Sequence, residues 1–484
     1  MIPRVSIVGR LLGRGSIYTL ASAAPILAGI LVTPFLTRSM GVAEYGVVAA
    51  AIVVMQFAVG VLAMGLPVAI TRHALTEHSG HAGARGVAVL GAILAFGTAL
   101  VIAGACAFFG VSGWLSESVL AAAIATGGLG AGLAMVQALA VAREDVWEFV
   151  ALAFGTSLIA PAVGLGVVVV WRQDPLAYVL ALLCTYACIS VVAYSRVLRK
   201  GRIGLPLADL RQSLRVGLPL VPHQLAINSV AGGSVLVGGW LLGATGSAGA
   251  QVSLYVGAVP AIIASAVSYA WMPIILKVPE AERGVQLEVT TRVVSWLAAL
   301  GSTALGAIAP WVLAVLVPRS YDLSAMVPLS ATVSMSAVFA AAFQGYSILV
   351  VASGRTRAFA IATPLALGLG LVASAVAVRI VGLMGLGVGY VLTYVLLAGV
   401  TRALARHVSR VRLRDASLLL PVAWALVGTC AAVALPWDSA WAIACRVVIA
   451  ACVLGAAGYV FVKGLRGPKA DELVGAGENP SFNP

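Results

Sequence analysis

The sequence predicts an all-α polytopic membrane protein of about 14 transmembrane helices, and three observations carry that reading. Of the 484 residues, 61% are hydrophobic and only 10% charged, with a mean hydropathy of +1.05. No soluble chain can bury so much apolar surface, so the bilayer must be its solvent. The apolar runs are long and lack period-2 alternation. Backbone in hydrocarbon must satisfy its own hydrogen bonds, which leaves helices and excludes a barrel. Third, the basic residues are distributed with one sidedness. With the N-terminus inside, inner loops and tails hold 25 of the 30 Lys and Arg. Arg38, Arg172, Arg319 and Arg379 fall outside, and Arg446 falls within the last span. That bias predicts an even number of spans with both termini cytoplasmic.

Taken in order, the first six spans run roughly over 15–37, 47–70, 87–110, 118–141, 149–171 and 176–197. The first is preceded by Arg4, Arg10 and Arg14. Its apolar run continues to Phe35, too long for a signal-peptide core, and is read as an uncleaved span. These six form an N-terminal lobe, 1–197. Residues 198–216 form a basic cytoplasmic linker, part of the stretch Arg196–Asn228 around which the chain is organised. Six more spans follow, roughly 217–243, 252–276, 292–317, 325–350, 358–380 and 385–403, forming a C-terminal lobe, 217–405. Two additional spans fill 406–462, roughly at 417–435 and 440–462, before a polar tail, 463–484, expected to be disordered.

The halves repeat. GVAEYGVV (Gly41–Val48) precedes Gly65-Leu66-Pro67, and GSAGAQVSLYVGAV (Gly246–Val259) precedes Trp271-Met272-Pro273 at similar spacing. Duplicated halves with a substrate between them are a common transporter plan. Pro25 and Pro34 lie in the first span, and Pro219 and Pro222 in the matching seventh. Proline removes a helical hydrogen bond and bends the helix, so Pro25 and Pro222 are candidate hinges. Glycine runs such as Gly127–Gly132 and Gly382–Gly389 let helices approach closely.

All 17 acidic residues can be placed in loops or at span ends. A cation-coupled exporter of cationic drugs would normally hold a carboxylate in its cavity, so this distribution suits an anionic substrate instead. Polar side chains inside spans are costly unless paired or hydrated. Arg14, Tyr18 and Ser22 recur at i, i+4 towards Pro25. In the seventh span Gln224 and Asn228 stack at i, i+4 beside His223. These two stripes read as the walls of a hydrated cavity, with interhelical hydrogen bonding as the competing reading. Gln56, Gln137 and Gln344 stand alone, where interhelical bonding is the simpler explanation. Arg14 can also act as an inside-positive anchor, and Arg446 can pair locally.

The net charge of +13 belongs to topology-setting loops, and no nucleic acid partner is expected. All six cysteines lie in apolar runs without His, Asp or Glu beside them, so no metal, cofactor or structural disulfide is expected. There is no nucleophile elbow, P-loop or zinc spacing, and the outer loops are short. The chain reads as a transporter, not an enzyme.

TPFLTRSMGVAEYG (Thr33–Gly46) resembles the N-terminal signature of Wzx-type polysaccharide flippases of the multidrug/oligosaccharidyl-lipid/polysaccharide (MOP) superfamily. LRVGLPLVPHQLA (Leu214–Ala226), PRSYDLSAMVPL (Pro318–Leu329) and VGLMGLGVGYVLTY (Val381–Tyr394) resemble later family segments in the same order. The resemblance implies two six-helix lobes in a V-shaped, MATE-like arrangement, plus two appended helices. It implies a flippase that moves a polyprenyl-diphosphate-linked oligosaccharide across the bacterial plasma membrane by alternating access. Membrane lipids, a polysaccharide polymerase and export machinery are the further partners it implies. A peptidoglycan-precursor flippase and a cation-coupled multidrug antiporter are the alternatives. One departure stands out: Gly233 lies near a position where family members often carry an acidic residue. Arg14, with Arg38 and Arg72 at the mouths, are the expected phosphate contacts, because Arg offers a planar charged fork. Tyr18, His223, Gln224 and Asn228 would meet the sugar.

Overall fold

In the computed structural model, the described residues are 28–77, 80–110, 113–199, 207–265, 280–352, 358–408, 416–437 and 439–465. Among them the regular structure is helical throughout. Helix α1 covers 28–39. It is followed by α2 (Val42–Leu62), α3 (Leu66–Thr76), α4 (Gly80–Phe108), α5 (Glu117–Ala142) and α6 (Val146–Phe154). A π-turn at Gly155–Ile159 leads into α7 (Ala160–Val170) and then α8 (Pro175–Arg199). Next come α9 (Leu207–Gly217), a 3₁₀ turn, α10 (Val221–Asn228), α11 (Val230–Gly257) and α12 (259–265). The remainder is α13 (Glu280–Leu316), α14 (Leu323–Ala352), α15 (Phe359–Val381), α16 (Gly385–Val408), α17 (Ala416–Ala434) and α18 (Ala440–Leu465).

Nine helical stretches among the described residues are long and apolar enough to cross a membrane, fewer than the fourteen read from the sequence. One of the nine, Phe359–His407, contains both α15 and α16, and Leu418–Ala434 and Ala440–Ala456 are shorter apolar helices. The expected first span lies mostly outside the described residues, as do Trp271-Met272-Pro273 and the polar tail.

Two compact units divide the chain. The first comprises Met1–Val256, Trp311–Ser330 and Arg355–Leu397; the second comprises Gly257–Pro310, Ala331–Gly354 and Ala398–Pro484.

The first unit is built round α5, which is the most enclosed of its apolar helices up to Gly257. The small-residue run on α5 explains why. Gly127 faces Ala58 of α2, Gly128 faces Ala99 of α4, and Gly130 faces Val59 and Tyr186. Tyr194 of α8 donates to the Gly132 carbonyl at 2.8 Å. Without side chains at these positions the helix backbones approach closely, and dispersion contacts replace the missing hydrophobic drive between helices in lipid.

Two tight reversals rest on glycine. Gly243 (φ 74°, ψ −172°) breaks α11 so that its two parts run back along each other. Ser247 Oγ reaches the Val235 carbonyl at 2.9 Å, and Gly238 faces Gly246. Gly382 (φ 61°) does the same between α15 and α16, where Ser374 Oγ donates to the Leu386 carbonyl at 3.3 Å. A side chain at positive φ costs about 1–2 kcal/mol, so glycine is the natural residue at such corners.

The second unit contains a fully buried arginine. Arg446 of α18 is 1% exposed, and its guanidinium donates only to backbone carbonyls. Nη2 meets Ala432 and Leu435 at 2.7 and 2.6 Å, carbonyls at the open C-terminal end of α17. Nη1 meets Gly306 and Ala307 of α13 at 3.1 and 3.2 Å. Pro310 lies four residues after Gly306 and has no N–H to offer its carbonyl, so the arginine supplies the missing donor. Close contacts of Gly306 with Ala432 and of Gly428 with Thr303 complete the α13–α17 seam.

Candidate functional site

The seventh expected span is irregular from its start. Pro219 sits in the 3₁₀ turn Leu218–Leu220, and Pro222 in the first turn of α10. At Ser229 the helix is interrupted again: Ser229 N reaches only back to the Ala226 carbonyl, at 3.3 Å. Proline at each N-terminal turn is tolerated because those N–H groups lack helical acceptors anyway. The result is a short helical piece, α10, held between two backbone breaks.

Four sequence-predicted residues fall on this piece: the candidate hinge Pro222 and three polar residues, which divide by face. His223 Nδ1 lies 2.8 Å from Thr363 Oγ1, and its ring stacks on Phe359 at 5.2 Å and 20°. It therefore ties α10 to the start of α15. Gln224 and Asn228 are exposed, one turn apart. Leu225 reaches Gly60 of α2. Gln56, likewise exposed, lies one turn before that glycine on α2. Gln344 has a protein partner instead, Ser265 Oγ at 2.6 Å.

Arg14, Tyr18 and the candidate hinge Pro25 lie outside the described residues. Arg38 is exposed at the end of α1, and its fork is taken up by carbonyls: Pro34 at 2.8 Å and Val315 of α13 at 2.8 Å. Arg72 is exposed on α3 and has interaction partners of its own. The neighbouring His73, 3% exposed, faces Asp209 of α9 at 3.4 Å, and Gln212 of α9 donates to Glu77 at 3.0 Å. The structure thus brings His223, Gln224 and Asn228 together on α10 and leaves Arg38 and Arg72 elsewhere.

The segments that carry the family resemblance converge within the first unit. Thr37 donates to the Leu316 carbonyl at 2.7 Å, beside the Arg38–Val315 bond. Tyr45 meets Tyr321 edge-on at 6.5 Å and lies among Tyr178 and Tyr255, the latter its counterpart in the repeat. Ser253 Oγ donates to the Met326 carbonyl and Ser330 Oγ to the Ser253 carbonyl, at 3.3 and 3.2 Å. Gly249 packs on Leu383 and Met326. The Tyr321 hydroxyl is enclosed without a hydrogen-bond partner; burial raises its pKa, and Glu44 adds to the rise. This knot was not foreseen, although the tyrosine repeat and the order of the motifs were its visible signal. A Cβ built at Gly233 would lie 2.9 Å from Leu371, so a side chain there would have to displace α15 contacts.

Among the described residues the chain is a multi-pass helical bundle with broken helices, and its fold is that of MOP-superfamily transporters. The chain belongs to the polysaccharide biosynthesis protein family, whose profile matches residues 12–278. The expected resemblance to Wzx-type flippases is borne out at this level. No curated protein matches the sequence. Among solved structures, the fold is similar to the lipid II flippase MurJ in an inward closed conformation. That match has 9% identity, covers 93% of this chain and 99% of that one, and gives a TM-score of 0.62. It is also similar to a MATE-family multidrug resistance transporter in an inward-facing conformation: 17% identity, 80% and 94% covered, TM-score 0.59. A MOP transporter from Pyrococcus furiosus, described as having a binding pocket of reversed polarity, matches with 16% identity, 81% and 95% covered, and TM-score 0.53.

Proposed function

We propose that this protein moves a polyprenyl-diphosphate-linked oligosaccharide from the cytoplasmic to the outer leaflet of the bacterial plasma membrane by alternating access. The observation that carries this reading is the pair of exposed amides, Gln224 and Asn228, on a helix broken at both ends. Amides suit sugar hydroxyls, because each offers two donors and an acceptor. With the acidic residues confined to loops and span ends in the sequence reading, the interior favours an anionic head group over a cation. The lipid tail can remain in the bilayer while the head crosses. The charge bias places the ends of α1 and α13 on the outer side. There, the bonds of Thr37 and Arg38 to Leu316 and Val315 join segments of the two sequence halves. Opening towards the outside would break them.

A second reading, a flippase for the peptidoglycan precursor, draws on one observation. The fold match to the lipid II flippase spans more of this chain than the matches to the multidrug transporters. Both readings share the cavity chemistry and differ in the glycan. Deleting the gene and identifying the lipid-linked saccharide that accumulates on the cytoplasmic side distinguishes them. In reconstituted vesicles, the Gln224→Leu, Asn228→Leu double variant should translocate that lipid at least tenfold more slowly at equal protein level. Unchanged translocation would remove the proposed sugar contacts.

A further inference from the structure

In the sequence Gln56 stands alone, but the packing of α2 gives it neighbours of its own kind. Helix α2 is a candidate membrane span, and Glu44 in its first turn is its one charged residue. It packs on α10 and α11 through glycines. A Cβ built at Gly60 would lie 2.8 Å from Leu225, and one built at Gly232 would lie 2.8 Å from Val53 and 3.7 Å from Phe57. Residue numbers fall along α2 as they rise along α10 and α11, so the helices run antiparallel. Gln56, between Val53 and Gly60, is therefore level with Asn228, between Leu225 and Gly232. The amides also share a side. At about 100° per residue, Gln56 precedes Gly60 by about 40° round α2, and Gln224 and Asn228 precede Leu225 by about 100° and about 60° round α10. A two-fold axis normal to their common plane relates antiparallel helices and returns each side of the contact to itself, so offsets of equal sign fall on one side. Another flank of α10 is occupied by His223 against Thr363 and Phe359, and Ala226 is buried. Gln56, Gln224 and Asn228 are all exposed, and none makes a hydrogen bond among the described residues.

We propose that Gln56 is a third contact for the glycan, completing a neutral amide face between α2 and α10 that binds the sugar and not the diphosphate. An unpaired amide against hydrocarbon is costly, so three on one side of one helix pair mark where that pair meets water or a hydrogen-bonding ligand. Each amide offers donors on its nitrogen and an acceptor oxygen, which matches hydroxyl and acetamido groups, since both donate and accept. Apart from Glu44 at its start, neither α2 nor α10 carries Asp, Glu, Lys or Arg, so this face gives a phosphate no charge-assisted bond. The role in sugar binding rests on the flippase reading proposed above, whereas the shared amide face does not.

Two measurements on the full-length protein in vesicles test it. In a cysteine-free background, Gln56→Cys, Gln224→Cys and Asn228→Cys should each react with a small water-soluble methanethiosulfonate. Val372→Cys is the control and should stay unreactive, because it lies in the exposed apolar stripe Leu365, Leu369, Val372 and Val376 of α15. Secondly, Gln56→Leu should raise the half-saturating concentration of the lipid-linked saccharide isolated from the deletion strain by about fivefold, the size of one lost neutral hydrogen bond, and change the maximal rate less. Binding of polyprenyl diphosphate without sugar should be unchanged, and Gln56→Asn, which keeps the amide, should recover part of the loss. Leucine is a good helix former, and unchanged thermal unfolding confirms that the variant is folded. An unreactive Gln56→Cys beside a reactive Asn228→Cys overturns the role of Gln56 and leaves the flippase reading standing. So does unchanged half-saturation in Gln56→Leu while the Gln224, Asn228 double variant is impaired. An equal loss of affinity for bare polyprenyl diphosphate overturns the assignment to sugar. If none of the three cysteines reacts, the amide face fails, and the flippase reading loses the observation that carries it.

Discussion

Arg446 and Gly306 are joined by a hydrogen bond to the carbonyl that Pro310 leaves unserved. Inserting an arginine at a span centre costs about 2.5–3.5 kcal/mol, and here five contacts to carbonyls offset that cost with no counter-ion among the described residues. Arg446→Met should destabilise the protein by about 2–3 kcal/mol, since buried carbonyls lose their donor. Pro310→Ala restores an N–H for Gly306. In the double variant the loss should be smaller than the sum of the two single losses, as coupled sites require. Thermal unfolding in detergent measures all three; strict additivity would show that the carbonyl is not shared.

His223 and Thr363 form the second such pair. Thr363→Val and His223→Ala should each lower stability by about 1 kcal/mol, with no further loss when combined. Translocation should fall less in either variant than in the Gln224, Asn228 double variant. A His223→Ala protein that is stable yet inactive would move the histidine into the substrate path.

The apolar runs made the helices legible; in the sequence the glycine run at Gly382–Gly389 marks only a place of close helix approach, and the structure adds a corner at Gly382. What stayed hidden depended on partners far away in sequence. Nothing local to Arg446 says that its targets are carbonyls freed by a proline on α13 and a helix end on α17. The π-turn at Gly155–Ile159 is equally silent, because a uniformly apolar span carries no periodicity to disturb. The basic linker read over 198–216 contains a helix, α9, whose register is set by His73 and Glu77 on α3 and at its end. On α10, the i, i+4 spacing did identify which two amides share a face, while the bond of His223 to α15 could only be seen in three dimensions.

Membrane sidedness is checked by single-cysteine labelling. Positions beside Arg172 and Arg319 should react with an impermeant reagent from outside, and positions beside Arg199 and Arg412 should not. Labelling beside Arg199 from outside would invert the orientation.

For the phosphate contact expected at Arg14, translocation should decrease from Arg to Lys to Ala at matched protein level. Lysine keeps the charge and loses the planar fork, and alanine loses both. Equal rates for Arg14 and its alanine variant, in vesicles containing the lipid-linked oligosaccharide, would reduce it to a topology anchor.

The docking of α9 changes what the connection between the halves can do mechanically. A free tether would let the second half drift over the full length of the basic segment. Here His73–Asp209 and Gln212–Glu77 fasten the tether down as far as α9, and Gly65 presses backbone to backbone on Gly217. The irregular backbone of the connection is therefore confined to the stretch from Gly217 to Ser229, with its two prolines and two helix breaks. If the proposed alternating access holds, this segment, which also carries Gln224 and Asn228, is where a pivot between the sequence halves is expected. On that proposal, substrate contact and lever motion would be one event in the chain, with no relay between them.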